Sequence, residues 1–105
     1  AIGEGIVYVG SRDGHLYALD AEFGSVRWRL PTGGRVESSP AIADGVVYFG
    51  SFDHNLYAAS ASEGELLWQY RTEGPVSSSP TVAGGVVYVG STDGCLYAIR
   101  LPESK

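Results

Sequence analysis

Hydrophobic and polar positions along this chain come in short bursts. In its middle, the stretches at 39–43 (SPAIA), 46–51 (VVYFGS), 55–60 (NLYAAS) and 66–71 (LLWQYR) are each rich in β-branched, aromatic or small apolar residues. Gly, Asp, Ser and Pro separate them, which is the punctuation of strands and turns. No segment sustains an apolar period near 3.6 residues, so the pattern argues against helices. Four strands per unit are expected. They are apolar on both faces rather than strictly alternating, so each small sheet should be covered on both sides.

The bursts recur. Gly5, Gly45 and Gly85 stand 40 residues apart, as do Trp28 and Trp68, Tyr8, Tyr48 and Tyr88, and Tyr17, Tyr57 and Tyr97. One domain over 1–105 is expected, divided into repeat 1 (5–44), repeat 2 (45–84) and a partial repeat 3 (85–105). Tandem four-stranded units of about 40 residues match the blade of a β-propeller; a β-solenoid usually has shorter repeats without the hairpin rhythm. The expected fold class is therefore all-β, a partial propeller of about 2.6 blades. By strand phase, the first unit should lack its innermost strand and the third its outermost. A third Trp would fall at position 108, past Lys105.

Asp13-Gly14 and Asp93-Gly94 read as two-residue hairpin loops with positive φ at both positions. The middle copy has Asp53-His54 instead. His tolerates that backbone region better than most non-Gly residues, so the turn should survive at a cost of about 1 kcal/mol.

Composition narrows the classes of function. Seven basic against twelve acidic residues give a net charge of −5, which argues against nucleic acid or anionic lipid as main partner. No apolar run approaches the roughly 20 residues of a membrane span. The single Cys95 excludes an internal disulfide and any multi-Cys metal site. The chain has no Met and opens at Ala1 directly into the pattern, so a processed or excerpted piece of a longer protein is expected.

The stretch ALDAEFGSVRW (18–28) resembles the tryptophan-docking motif of the pyrroloquinoline quinone (PQQ)-like repeat family, through Ala18, Asp20, Gly24 and Trp28. Phe23 and Ser25 stand where the family usually has Thr and Lys. The second copy keeps Ala58, Gly64 and Trp68, and the third keeps Ala98 before it departs at Arg100. Similar repeats build quinoprotein dehydrogenases, the outer-membrane assembly lipoprotein of Gram-negative bacteria and extracytoplasmic sensor regions. The resemblance thus implies the propeller fold and an extracytoplasmic, bacterial setting, and leaves activity open. Independently of family, a large indole repeated at one place should pack against the next blade, as an aromatic of that size buries about 150–250 Å². Trp28, Trp68, Gly14 and Gly94 are accordingly read as structural.

No catalytic, cofactor or metal residues are assigned. The vicinal Cys pair that the resemblance would require of a quinoprotein enzyme is missing, and no cofactor is expected. His15 and His54 differ in repeat phase, and two His without a third ligand make no zinc site. The serine runs at 38–39 and 77–79 read as backbone-capping and turn residues. Loops joining a fourth strand to the next first strand must share a face with the second-to-third-strand turns. That face gathers Arg12, Asp13, Arg35, Glu37, Phe52, Asp53, His54, Thr92 and Asp93; Arg12, Arg35, Glu37, Phe52, Asp53 and His54 are the candidate binding residues. The expected function is a non-catalytic scaffold for binding or assembly. Its partner is a protein, or another copy reached through the open blade sides. The alternative is an excerpt of a PQQ-dependent dehydrogenase whose active site lies outside this chain.

Overall fold

The computed structural model describes residues 2, 3, 5–37, 39–76 and 78–100. Ser38 and Ser77 of the serine runs, and residues 101–105 of the third unit, lie outside the described residues. The strands are β1 (Ile2–Gly3), β2 (Ile6–Gly10), β3 (His15–Asp20), β4 (Val26–Pro31), β5 (Ala41–Ala43), β6 (Val46–Gly50), β7 (Asn55–Ser60), β8 (Leu66–Arg71), β9 (Thr81–Ala83), β10 (Val86–Gly90) and β11 (Leu96–Arg100). They form three antiparallel sheets in chain order: β1-β2-β3-β4, β5-β6-β7-β8 and β9-β10-β11. The stack measures 39 × 34 × 17 Å; its thin dimension is about one strand of five or six residues. This is the arrangement of propeller blades.

The first sheet is not the three-stranded one expected. Ile2 pairs with Val7 and Gly3 with Ile6, so an innermost strand is present. Two residues are too few to display an alternation. They do occupy the repeat phase of Ala41–Ala43 and Thr81–Ala83, and antiparallel pairing needs only a tight turn to return them.

Turn geometry also departs from expectation. The two-residue loop with positive φ throughout lies at Asp44-Gly45, where φ is 50° and 76°, and at Gly84-Gly85. At Asp13-Gly14 only the glycine is left-handed (φ 91°), and Gly94 (88°) and His54 (81°) match it. The reason is loop length. Ser11 N–H donates to His15 O at 3.0 Å and Gly14 N–H to Ser11 O at 3.2 Å, leaving three loop residues, a turn closed by one left-handed position. The Asp needs no positive φ. Its carboxylate accepts the N–H two residues on, from His15, Asn55 or Cys95.

Two apolar layers hold the sheets together. Between the first and second lie Ile6, Tyr8, Leu16, Ala18, Val36, Val47, Phe49, Tyr57 and Ala59, with Trp28 and Leu30 at the edge. Between the second and third lie Tyr48, Leu56, Ala58, Val76, Val87 and Val89, with Trp68, Tyr97 and Ile99. Alternation along each strand sends successive side chains to opposite layers, which is why the strands read as apolar on both faces. A register shift beside each Trp, with Ala18 opposite Trp28 but Leu19 opposite Val26, re-aims the outer strand. The Trp28 indole then lies against Gly64 of the next sheet, where any Cβ would collide with the ring. Its N–H donates to Ala61 O at 3.1 Å, and the Tyr8 hydroxyl donates to the same carbonyl at 2.8 Å.

Candidate binding face

Each loop that leaves an outer strand is tied to two hairpins. After β4, Thr32 N–H donates to Gly14 O at 2.7 Å and Val36 N–H to Ser11 O at 2.9 Å, within the first sheet. The same loop reaches the second sheet. Phe52 N–H donates to Arg35 O at 2.8 Å, Gly33 N–H to Asp53 Oδ2 at 2.9 Å, and Ser51 Oγ to Gly34 O at 3.1 Å. After β8 the pattern repeats: Thr72 N–H to His54 O, Val76 N–H to Ser51 O, Glu73 N–H to Asp93 Oδ2 and Ser91 Oγ to Gly74 O. The serine and threonine of this latch, Ser51 and Thr32 or Ser91 and Thr72, were not among the candidate residues, yet both recur at the 40-residue step. Ser78 behaves as a backbone cap, accepting from Gly90 N–H at 2.6 Å.

The aspartates are committed to the scaffold. Tyr17, Tyr57 and Tyr97 each donate their hydroxyl to the Asp four residues earlier, Asp13, Asp53 and Asp93. These bonds, chiefly, hold the Asp13 and Asp93 carboxyls below the ordinary carboxylate range. Burial pushes Asp53 up, but the Tyr57 hydroxyl and the N–H groups of Gly33 and Asn55 outweigh it, so its pKa too is lowered. The tyrosines move the other way: the Asp93 bond pushes Tyr97 up to about 12, and burial with the Asp53 bond pushes Tyr57 up further. Both members of each pair are thus driven away from neutrality, the wrong direction for general acid–base work near pH 7. Cys95 is exposed, and the Asp93 charge raises its thiol pKa, opposite to the activation of a nucleophilic thiol.

The remaining candidates fall into two groups. Arg12, Arg35, Glu37 and Phe52 come together over the seam between the first and second sheets. Glu37 Oε2 lies 3.3 Å from Nε of both arginines, and the Arg35 guanidinium sits 4.7 Å from the centre of the Phe52 ring. Exposed ion pairs of this kind contribute about 0–1 kcal/mol, so they orient the cluster more than they stabilise the fold. His54 belongs elsewhere: with Arg71, Thr72 and Glu73 it lines an open depression of about 560 Å³ beside the second seam. Arg71 and Glu73 were missed because they read as strand end and loop. The available signal was that the first repeat carries Pro31 and Gly33 at those phases.

The family model of the outer membrane protein assembly factor BamB matches residues 1–103. Among solved structures, BamB from Moraxella catarrhalis superposes with a TM-score of 0.85 at 25% identity, over 95% of this chain and 32% of that one. The computationally designed Ika4 protein superposes with a TM-score of 0.85 at 18% identity, over 97% of this chain and 64% of that one, which bears on fold alone. A shorter likeness, 49% identity over 37 residues, joins this chain to the beta-alanine-activating enzyme of Danio rerio; it spans 35% of this chain and 3% of that enzyme. The chain therefore spans less than two thirds of the length of each of these three proteins.

Proposed function

The chain belongs to the family of the outer membrane protein assembly factor BamB, and from that premise we propose that it is a non-catalytic propeller segment that binds protein as an assembly scaffold outside the cytoplasm. The observation that carries this reading is the Arg35–Phe52 pair, an aromatic ring stacked under a guanidinium at the seam of two sheets and flanked by Arg12 and Glu37. Aromatic and arginine side chains are enriched where proteins meet and dominate the energy of such contacts. The Asp–Tyr pairs support the non-catalytic part, since their protons are held where chemistry near neutral pH does not reach them. The dehydrogenase alternative has less support, because the matching family is that of an assembly factor.

The test uses the chain as bait for an envelope extract of a Gram-negative bacterium, with captured proteins identified by mass spectrometry. Phe52→Ser combined with Arg35→Glu should abolish capture while the circular dichroism of the sheets is retained. Undiminished capture by that variant would overturn the assignment of this face. Dye reduction by the wild-type chain mixed with pyrroloquinoline quinone would overturn the non-catalytic reading.

A further inference from the structure

The first and second seams are latched alike and dressed differently. Phe52 N–H donates to Arg35 O at 2.8 Å across the first seam, and Thr92 N–H donates to Pro75 O at 3.0 Å across the second. In sequence, Arg12, Arg35, Glu37 and Phe52 of the first seam are answered 40 residues on by Phe52, Pro75, Ser77 and Thr92. The backbone latch forms with or without those charges, so the fold does not require them. They converge nonetheless. Glu37 Oε2 stands 3.3 Å from Nε of both Arg12 and Arg35, and the Phe52 ring underlies the Arg35 guanidinium at 4.7 Å.

The pairing is unfinished. Two guanidiniums meet one carboxylate, which leaves a surplus positive charge on a chain of net charge −5. Both arginines reach the same Glu37 oxygen, at a distance longer than the about 2.7–2.9 Å of a strong charge-assisted bond. Among the described residues neither guanidinium has another carboxylate, and both side chains are exposed.

We infer that a carboxylate of the partner protein, an Asp or Glu side chain on an exposed acidic segment, enters this cluster and competes with Glu37 for the two guanidiniums. This occupant rests on the binding face proposed above, and charge complementarity chooses it. A guanidinium fork matches a carboxylate in plane, whereas a neutral or basic segment would leave the surplus charge unmet. A nucleic acid or an anionic lipid surface would meet the repulsion of the whole chain. Glu37 is then the chain's own stand-in: it keeps the arginines converged while the face is empty and yields to the incoming acid. Phe52 holds the plane of Arg35 throughout.

The experiment is a nuclear magnetic resonance titration of the 105-residue chain, read at the arginine Nε–Hε signals. The probes are a short peptide of Asp, Glu, Gly and Ser, its counterpart with Asn and Gln in place of the acids, and sodium glutamate. The acidic peptide should shift the Arg12 and Arg35 signals with an affinity that falls as salt rises. The amide peptide should not shift them, and glutamate alone should bind about tenfold more weakly than the acidic peptide. Glu37→Gln should tighten acidic-peptide binding about three- to fivefold, the worth of an exposed ion pair, and Arg35→Gln should weaken it by a similar factor. Backbone amide signals unchanged away from the cluster show that each variant keeps the fold. Affinity unchanged or lowered by Glu37→Gln would overturn the inference. So would equal binding of the acidic and amide peptides, or of glutamate and the acidic peptide. Such a failure, with protein capture still abolished by Phe52→Ser and Arg35→Glu together, would leave the binding face standing. Capture undiminished by that double variant would sink the face and this occupant with it.

Discussion

The second and third sheets are built from nearly the same letters and live in different surroundings. Leu56 and Leu96 occupy one repeat phase, as do Tyr48 and Tyr88, yet the first of each pair is buried and the second open. Phe49 stacks on Tyr57 with ring centres 5.2 Å apart inside the first apolar layer; Val9 and Tyr17, in the same phase of the first sheet, are only half-buried. Burial here is conferred by neighbours rather than by the strand. A single blade is too thin to enclose a core, so each owes its stability to the sheets beside it, as in other repeat arrays.

That contrast can be broken most forcefully at the leucines. Leu56→Ala should destabilise the chain by about 2–5 kcal/mol, the range for a large-to-small change at a filled site. Leu96→Ala should stay within about 0.5 kcal/mol, measured by urea unfolding at concentrations where single copies prevail. Equal losses at the two sites would remove the distinction between middle and terminal sheets. Next in size is the clamp. Asp53→Ala leaves Gly33 N–H and the Tyr57 hydroxyl without their acceptor and should cost about 1–2 kcal/mol, whereas Asp13→Ala, which among the described residues releases only donors of its own hairpin, should cost distinctly less in the same assay.

The titration of these pairs sharpens the comparison. Asp13, Asp53 and Asp93 have folded pKa values below the ordinary 3.8. Their contribution is therefore complete above that value and is lost as pH falls through the folded values. Tyr97 rises from 10.0 to about 12, so its contribution is present below pH 10 and lost as pH climbs through 12. Thermal melts should give a plateau with an acid shoulder and an alkaline one. Asp13→Asn and Asp53→Asn should each flatten the acid shoulder, because each carboxyl titrates below its ordinary range in the fold. The smallest effect belongs to the middle hairpin. His54 holds a φ of 81° where the other copies have glycine, so His54→Gly should raise stability by about 1 kcal/mol, read as a higher melting temperature.

Much of this was legible in the letters. The four strands of the second unit were expected at 39–43, 46–51, 55–60 and 66–71, and fall at Ala41–Ala43, Val46–Gly50, Asn55–Ser60 and Leu66–Arg71, because dense apolar bursts between turn residues leave few alternatives. Ile2–Gly3 escaped because so short a strand has no period of its own. Asp13-Gly14 and Asp44-Gly45 share a dipeptide and not a turn: whether Ser11 pairs with His15 decides the loop length, and pairing is a property of two strands rather than of the loop. The binding face was only partly legible for a similar reason. Sequence placed Arg12, Arg35, Glu37, Phe52, Asp53 and His54 on one rim, but their division depends on which neighbour each side chain meets. Asp53 turns inward to Tyr57 and Gly33, while His54 joins Arg71 and Glu73 of its own sheet beside the second seam.

Hydrogen exchange read peptide by peptide speaks most directly to the claim that stability comes from stacking. At low concentration, amides of β6 and β7, enclosed on both sides, should exchange most slowly, and those of β10 and β11, covered on one side, markedly faster despite their near-identical sequences. Uniform protection across the three sheets, or slowest exchange in the third, would contradict it.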